Sequence, residues 1–283
     1  MRKQRGGETL YHISLGAAAS CCLLLFLFLT AWLFLCSLPV IRKTGLLGLL
    51  LQSEWRPENE KFGIFFMLLS TLCTSLGAAA FAAPAAAGAA AFLHMFCCRR
   101  AADFFLRGAS LLAGLPSVLY GLIGMTCVVP QIAAQIPASA RSGGACLFAA
   151  VVVLSAMLMP SLVIACSDAF HAMDPGLLRA SEALGATKTQ TVFGCMFPAV
   201  KAQRRIAFQT AFCRAVGEAT AVLLVSGSTV RFPSLFSGTR TLAGTVVLEM
   251  GYASGEHRSA LFAIGLFLLI FTALLPIGGE RRA

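Results

Sequence analysis

The fold class that the sequence predicts is an all-α integral membrane protein with six transmembrane helices, and three observations predict it. Of 283 residues, 58% are hydrophobic and 12% are charged. The mean hydropathy is +0.82. Apolar runs recur at the length of roughly 20 residues that a helix needs to cross a bilayer. A water-soluble domain carries about 25% charged and about 45–50% apolar residues, so a soluble globule, a disordered chain and a collagen are excluded. The length suits one bundle, residues 1–283 as a single transmembrane domain, and any energy-converting or ligand-capturing domain is expected on another chain.

The first run, 16–38, follows the basic start Met1-Arg2-Lys3-Gln4-Arg5. A signal peptide's apolar core is only about 7–15 residues, so the run reads as an uncleaved span. The second, 62–93, contains Pro84 and Gly88, interruptions that membrane helices tolerate. Further spans are expected at 109–129, 145–167, 206–226 and 259–276. In and beside the third, Gly114, Pro116, Ser117 and Gly121 admit two readings: a helix break exposing N–H groups, or small residues permitting close packing.

Lys and Arg are enriched in cytoplasmic loops. With an inside N-terminus, the inner segments hold thirteen of them: Arg2, Lys3, Arg5, Arg99, Arg100, Arg107, Arg179, Lys188, Lys201, Arg204, Arg205, Arg281 and Arg282. The outer segments hold eight, namely Arg42, Lys43, Arg56, Lys61, Arg141, Arg231, Arg240 and Arg258. Both termini are therefore expected in the cytoplasm. The net charge of +10 does not imply nucleic-acid binding, because that requires a basic face in water. Eleven cysteines, odd in number and without a C-x-x-C, support neither a disulfide framework nor zinc, and His12, His94 and His171 read as isolated, so no metal or cofactor is expected.

The segment 168–205 is the longest inner connection. Asp174-Pro175 is a helix start, Leu177, Ser181 and Leu184 repeat at helical spacing, and Gly185 suits a left-handed stop. Thr187-Lys188-Thr189-Gln190 then has the form of a capping box opening a second helix, apolar through Val192, Phe193, Met196 and Phe197 up to Pro198. Two short helices about a glycine hinge are the expected product.

The run Ala180-Ser181-Glu182-Ala183-Leu184-Gly185-Ala186-Thr187, with Pro198 thirteen residues after Gly185, resembles the cytoplasmic EAA loop of bacterial ABC importer permeases. Four further stretches narrow the resemblance to the phosphate-specific permeases of the PstC type. They are Trp55-Arg56-Pro57 with Phe62-Gly63-Ile64, the run Ala113-Gly114-Leu115-Pro116-Ser117-Val118-Leu119-Tyr120-Gly121-Leu122, Arg214-Ala215-Val216-Gly217-Glu218, and Ser259-Ala260-Leu261-Phe262-Ala263. The resemblance implies a type I ABC importer permease fold in a bacterial inner membrane, with 174–198 as the coupling loop. It also implies three partners: an ATP-binding cassette ATPase dimer, a second permease subunit of the PstA type, and an extracytoplasmic phosphate-binding protein. Arg179 stands where the motif's glutamate is usual, and Glu182 where an apolar residue is usual.

Arg214 and Glu218 are the ionisable residues inside an expected span, and each costs about 2.5–3.5 kcal/mol at a helix centre on insertion scales. Four apart on one helix they share a face and can pair. Either Arg214 offers a planar fork to phosphate oxygens while Glu218 holds it between cycles, or the two form a permanent ion pair that fixes packing. Intramembrane charges default to function, and the resemblance points the same way. Gln209, Thr210 and Thr220 are further candidates for the path, although Thr commonly bonds its own helix backbone. Glu249, Glu256, His257 and Arg258 read as a solvated outer face, with 241–250 as an interfacial helix. No nucleotide or hydrolase motif is present, because Thr187 occupies the place that a phosphate-binding loop gives to Gly. The expected function is ATP-driven phosphate import without catalysis in this chain. Sulfate or molybdate import, an ion-gradient-driven carrier and a non-transporting scaffold are the alternatives.

Overall fold

The computed structural model describes residues 2–135 and 143–280, with side chains described over 14–135 and 143–275. Arg2, Lys3, Arg5, His12, Arg141, Pro276, Arg281 and Arg282 therefore lie outside the described residues or side chains.

The chain runs through α1 (Arg2–Thr44), α2 (Leu46–Leu51), a hairpin of β1 (Trp55–Arg56) and β2 (Lys61–Phe62), α3 (Phe65–Met95), α4 (Arg99–Ala113) and α5 (Ser117–Ile123). A π-turn at Gly124–Val128 carries α5 into α6 (Val129–Gln135) without a break. Next come α7 (Leu147–His171), α8 (Pro175–Ala183), α9 (Lys188–Thr191), α10 (Phe197–Ala199), α11 (Lys201–Gly217), α12 (Thr220–Val225), α13 (Leu242–Glu249) and α14 (Gly255–Glu280). Among the described residues, five helices are long and apolar enough to cross a membrane: Ser14–Thr44, Phe65–Met95, Ser117–Gln135, Leu147–His171 and Gly255–Leu275.

The centre of the bundle is built from small side chains. Ala78, Ala82 and Ala86 of α3 are buried with Ala149, Ala150 and Leu154 of α7, and Ala211, Ala215 and Ala221 close the same cluster from α11 and α12. Between apolar helices in lipid the driving force is close van der Waals packing, which small residues permit. A second cluster at one end joins Trp55, Phe62, Ile64 and Met67 to Leu242, Leu261 and Ile264. A third, at the other end, joins Ala90, Cys166 and Phe170 to Val192 and Met196. Leu24, Phe28, Trp32 and Leu35 of α1 are exposed, an apolar surface suited to lipid tails or to a second subunit.

Three expectations change. The stretch 109–129 straddles a break between α4 and α5, because Pro116 lacks an N–H and restricts the residue before it. The stretch 206–226 is likewise two helices, α11 and α12. His94 and His171, which read as isolated, meet edge to face with ring centroids 5.0 Å apart.

Candidate functional site

α11 ends at Gly217, a residue that disfavours helix by about 1 kcal/mol relative to Ala. Glu218 is extended, with φ −74° and ψ 118°, and its side chain fixes the interruption. Its Oε1 accepts from Thr220 Oγ1 at 2.9 Å and from Ala221 N at 3.1 Å. The carboxylate thus serves an N–H that the restarted helix leaves without an intrahelical acceptor. Ser117 Oγ lies 2.8 Å from Thr220 Oγ1, so the break before α5 and the break before α12 are tied together.

The expected pairing of Arg214 with Glu218 is not made. An i, i+4 face requires a continuous helix, and here the helix stops between the two residues; among the described residues no ion pair joins them. Thr210 and Thr220 fall on separate helices for the same reason. Gly114 ends α4 and Pro116 precedes α5, with Ser117 its first residue, whereas Gly121 lies inside α5 and makes no break. Its role is contact: a Cβ there would stand 2.9 Å from Ala221 Cα and 2.8 Å from Leu224 Cδ1.

Arg214 Nη1 donates to Ser161 Oγ at 3.0 Å. Ser161 stands ten residues before the end of α7 at His171, roughly 15 Å along the axis. Arg214, Ser161, Thr210 and Gln203 line one groove of about 320 Å³ between α7 and α11, walled by Leu158 and Ile206. A serine hydroxyl is neutral, so it orients the guanidinium without cancelling its charge. The remaining in-plane donors fit a carboxylate or a tetrahedral oxyanion.

The hairpin 174–198 is fixed almost entirely by local bonds. Asp174 Oδ1 accepts from Gly176 N at 2.8 Å. Gly185, at φ 78°, reverses the chain, with Gly185 N bonding Glu182 O at 2.9 Å and Ala186 N bonding Ser181 O at 3.2 Å, the paired bonds of a Schellman stop. Thr187 N then donates to Gln190 Oε1 at 2.8 Å while Gln190 N donates to Thr187 Oγ1 at 3.3 Å. A buried contact of 2.9 Å between Ser181 Oγ and Thr191 Oγ1 clamps α8 to α9. Lys188 Nζ reaches Met95 O at 3.2 Å and seats the hairpin on α3. Arg179, Ala180, Glu182, Ala183 and Thr187 are exposed, Ala186 is half-buried, and Leu184 at the tip is 88% exposed. A π-turn at Val192–Met196 leads to Pro198 in α10 and so to α11.

At the opposite end the solvated-face reading holds for Arg258, which is exposed, and for the partly exposed Glu256, but fails for Glu249 and His257. Glu249 is 5% exposed and accepts from Trp55 Nε1 at 2.9 Å, from Arg240 Nη1 at 2.6 Å and from His257 Nε2 at 2.8 Å. Within the segment 241–250, α13 buries Leu242, Ala243, Gly244, Thr245 and Glu249 against the bundle while Val247 and Leu248 are exposed, and Leu242 N donates to Thr71 Oγ1 of α3 at 2.9 Å. The two-stranded hairpin presents Trp55 to this centre with the register Trp55↔Phe62. The signal in the sequence was the indole itself, since a buried Trp N–H needs an acceptor. A polar hollow of about 1000 Å³ lies beside it, lined by Arg56, Arg240, Tyr252, Glu256 and His257. Desolvation, then the Glu249 charge, holds the Tyr252 phenol above its ordinary value.

No family model matches the chain. It is 34% identical over 227 residues to the probable ABC transporter permease protein YqgH of Bacillus subtilis, covering 78% of this chain and 72% of that protein. It is 29% identical over 249 residues to the phosphate transport system permease protein PstC of Haemophilus influenzae, covering 81% and 78%. Among solved structures, a chain from inward-facing conformations of the MetNI methionine ABC transporter matches with a TM-score of 0.60 at 16% identity, covering 81% of this chain and 97% of that one. At that identity the likeness is one of fold.

Proposed function

Because this chain belongs to the ABC transporter permease family, we propose that it is the non-catalytic membrane subunit of an ATP-driven importer that carries inorganic phosphate inward by alternating access. It sits in this reading in a bacterial inner membrane with the hairpin 174–198 and both termini in the cytoplasm, and it works with an ATPase dimer, a second permease subunit of the PstA type and an extracytoplasmic phosphate-binding protein.

The observation that carries the reading is Arg214. It is held by a neutral serine instead of by Glu218, and it opens on a groove at mid-height of α7. An exposed guanidinium without a carboxylate partner among the described residues, facing a groove with apolar walls, attracts an anion, and a planar fork suits phosphate oxygens. The groove is open on this chain, and a second permease subunit facing it would complete a conduit. Glu218 takes a different role from the one its spacing suggested: it holds the paired interruptions of α5 and α12 beside the path.

The hairpin supplies the drive. Leu184 and the exposed face of α8 dock on the ATPase, and the capped, clamped turn transmits displacement through α10 into α11, the helix that bears Arg214. ATP binding draws the docking hairpins together and opens the path outward; hydrolysis returns it inward.

Uptake of radiolabelled phosphate by proteoliposomes containing the co-purified complex tests this. ATP-dependent uptake competed by phosphate but not by sulfate or molybdate is the expected result. Uptake competed by sulfate or molybdate would reassign the substrate, and uptake driven by an ion gradient without ATP would overturn the reading.

A further inference from the structure

A second cationic site lies nearer the hairpin, away from Arg214. Arg204 is on the first turn of α11, and its Nε is buried with no hydrogen-bond partner among the described residues. Buried donors are satisfied in the great majority of cases, and one left unpaired costs the desolvation of the group. The guanidinium lies over the Phe197 ring, Cζ to centroid 4.8 Å. Stacking covers its face and leaves the edge, where the N–H groups are, free for an acceptor.

That edge has a cavity to serve. An open hollow of about 350 Å³ lies among α3, α7 and α11, lined by Lys201, Arg204 and Arg205 together with Pro84, Leu162 and Cys166. Among the described residues no carboxylate lines it. Lys201, Arg204 and Arg205 are three and four apart on one helix, a spacing at which like charges repel. The cavity is distinct from the Arg214 groove; the two share only the apolar walls Leu162 and Ala207 on either side of the α7–α11 contact. On its other flank Arg204 also lines a groove with Phe193 and Phe197 of the hairpin segment.

We propose that Arg204, with Lys201 and Arg205, forms a binding site for a phosphate group at the junction of the hairpin with α11. The group is either the headgroup of an anionic lipid or free inorganic phosphate. Bound there, it accepts from the buried Nε, offsets the charges of Arg204 and Lys201, and joins the hairpin to α11 through the Phe197 stack. The site is independent of the transport reading, because it involves none of the Arg214 groove's polar residues.

The test uses the full chain in nanodiscs of phosphatidylcholine. In one arm phosphatidylglycerol is titrated in and retained lipid is counted by native mass spectrometry. In the other, inorganic phosphate is titrated calorimetrically in an Arg214→Gln background, so that only this site is read. At least one probe binds, and Arg204→Gln weakens that binding roughly tenfold or more. Which arm responds identifies the source. Arg99→Gln, an exposed cation at the start of α4, leaves binding unchanged. Should Arg204→Gln fail to fold, Arg204→Lys and the exposed Lys201→Gln carry the test, each with several-fold weaker binding. Failure of both probes to bind, or equal binding by wild type and the Arg204 and Lys201 variants, overturns the proposal.

Discussion

Glu249 and Arg214 are both charges inside an apolar protein, and they are treated in opposite ways. Glu249 has an indole, a guanidinium and an imidazole converging on it from the two-stranded hairpin, the segment before α13 and the start of α14. Among the described residues, Arg214 has a single neutral hydroxyl. A buried carboxylate with three donors, two of them cationic groups when His257 is protonated, is held in place for folding; adding a ligand there would mean breaking bonds already made. A guanidinium with one neutral partner beside a groove retains both its charge and its donors. The lesson is that a charge supporting the fold is buried among several partners, whereas one available to a ligand is exposed and has few.

Substitutions can sharpen or break that contrast, and Glu249→Ala is the most severe. Among the described residues it leaves the part-buried Arg240 with only the Ser228 carbonyl, and it should destabilise by about 3 kcal/mol, read as a lower thermal midpoint in detergent. A midpoint equal to wild type would mean the cluster is no structural centre. Gly121→Leu should cost about 1–3 kcal/mol by forcing α5 from Ala221, with the loss visible in the same melt; an unchanged melt would show that the contact can relax. Thr187→Ala removes one half of the reciprocal cap and should cost about 1 kcal/mol, local to the hairpin and measurable as faster amide exchange at Gln190. Leu184→Glu, on a side chain 88% exposed, should move stability by less than about 0.5 kcal/mol and yet abolish co-purification of the ATPase. Retained ATPase would place docking elsewhere.

The hairpin was legible in the sequence because its bonds are local. Thr187 with Gln190, Gly185 with the Glu182 carbonyl and Ala186 with the Ser181 carbonyl are fixed by residues no more than five apart. The same locality explains what was missed. Arg214 and Glu218 have pairing spacing, but only the fold shows that Glu218 turns to Ala221 and Thr220 and ends the helix; Gly217 was the one hint. The Glu249 centre joins residues up to 194 positions apart, and neither period nor spacing carries information across that distance. Apolar run length located the helices α3, α7 and α14 closely, while Pro116 and Glu218, which divide the expected third and fifth spans, act through backbone bonding that hydropathy does not register.

The central claim is that Arg214, left open by the fold, meets the transported anion. ATP-dependent uptake of radiolabelled phosphate by the reconstituted complex carrying Arg214→Gln measures it most directly, with thermal midpoint and subunit composition checked in parallel. Uptake should fall to background while the midpoint changes by less than the equivalent of about 1 kcal/mol and the complex stays whole. Wild-type uptake by that variant would contradict the claim.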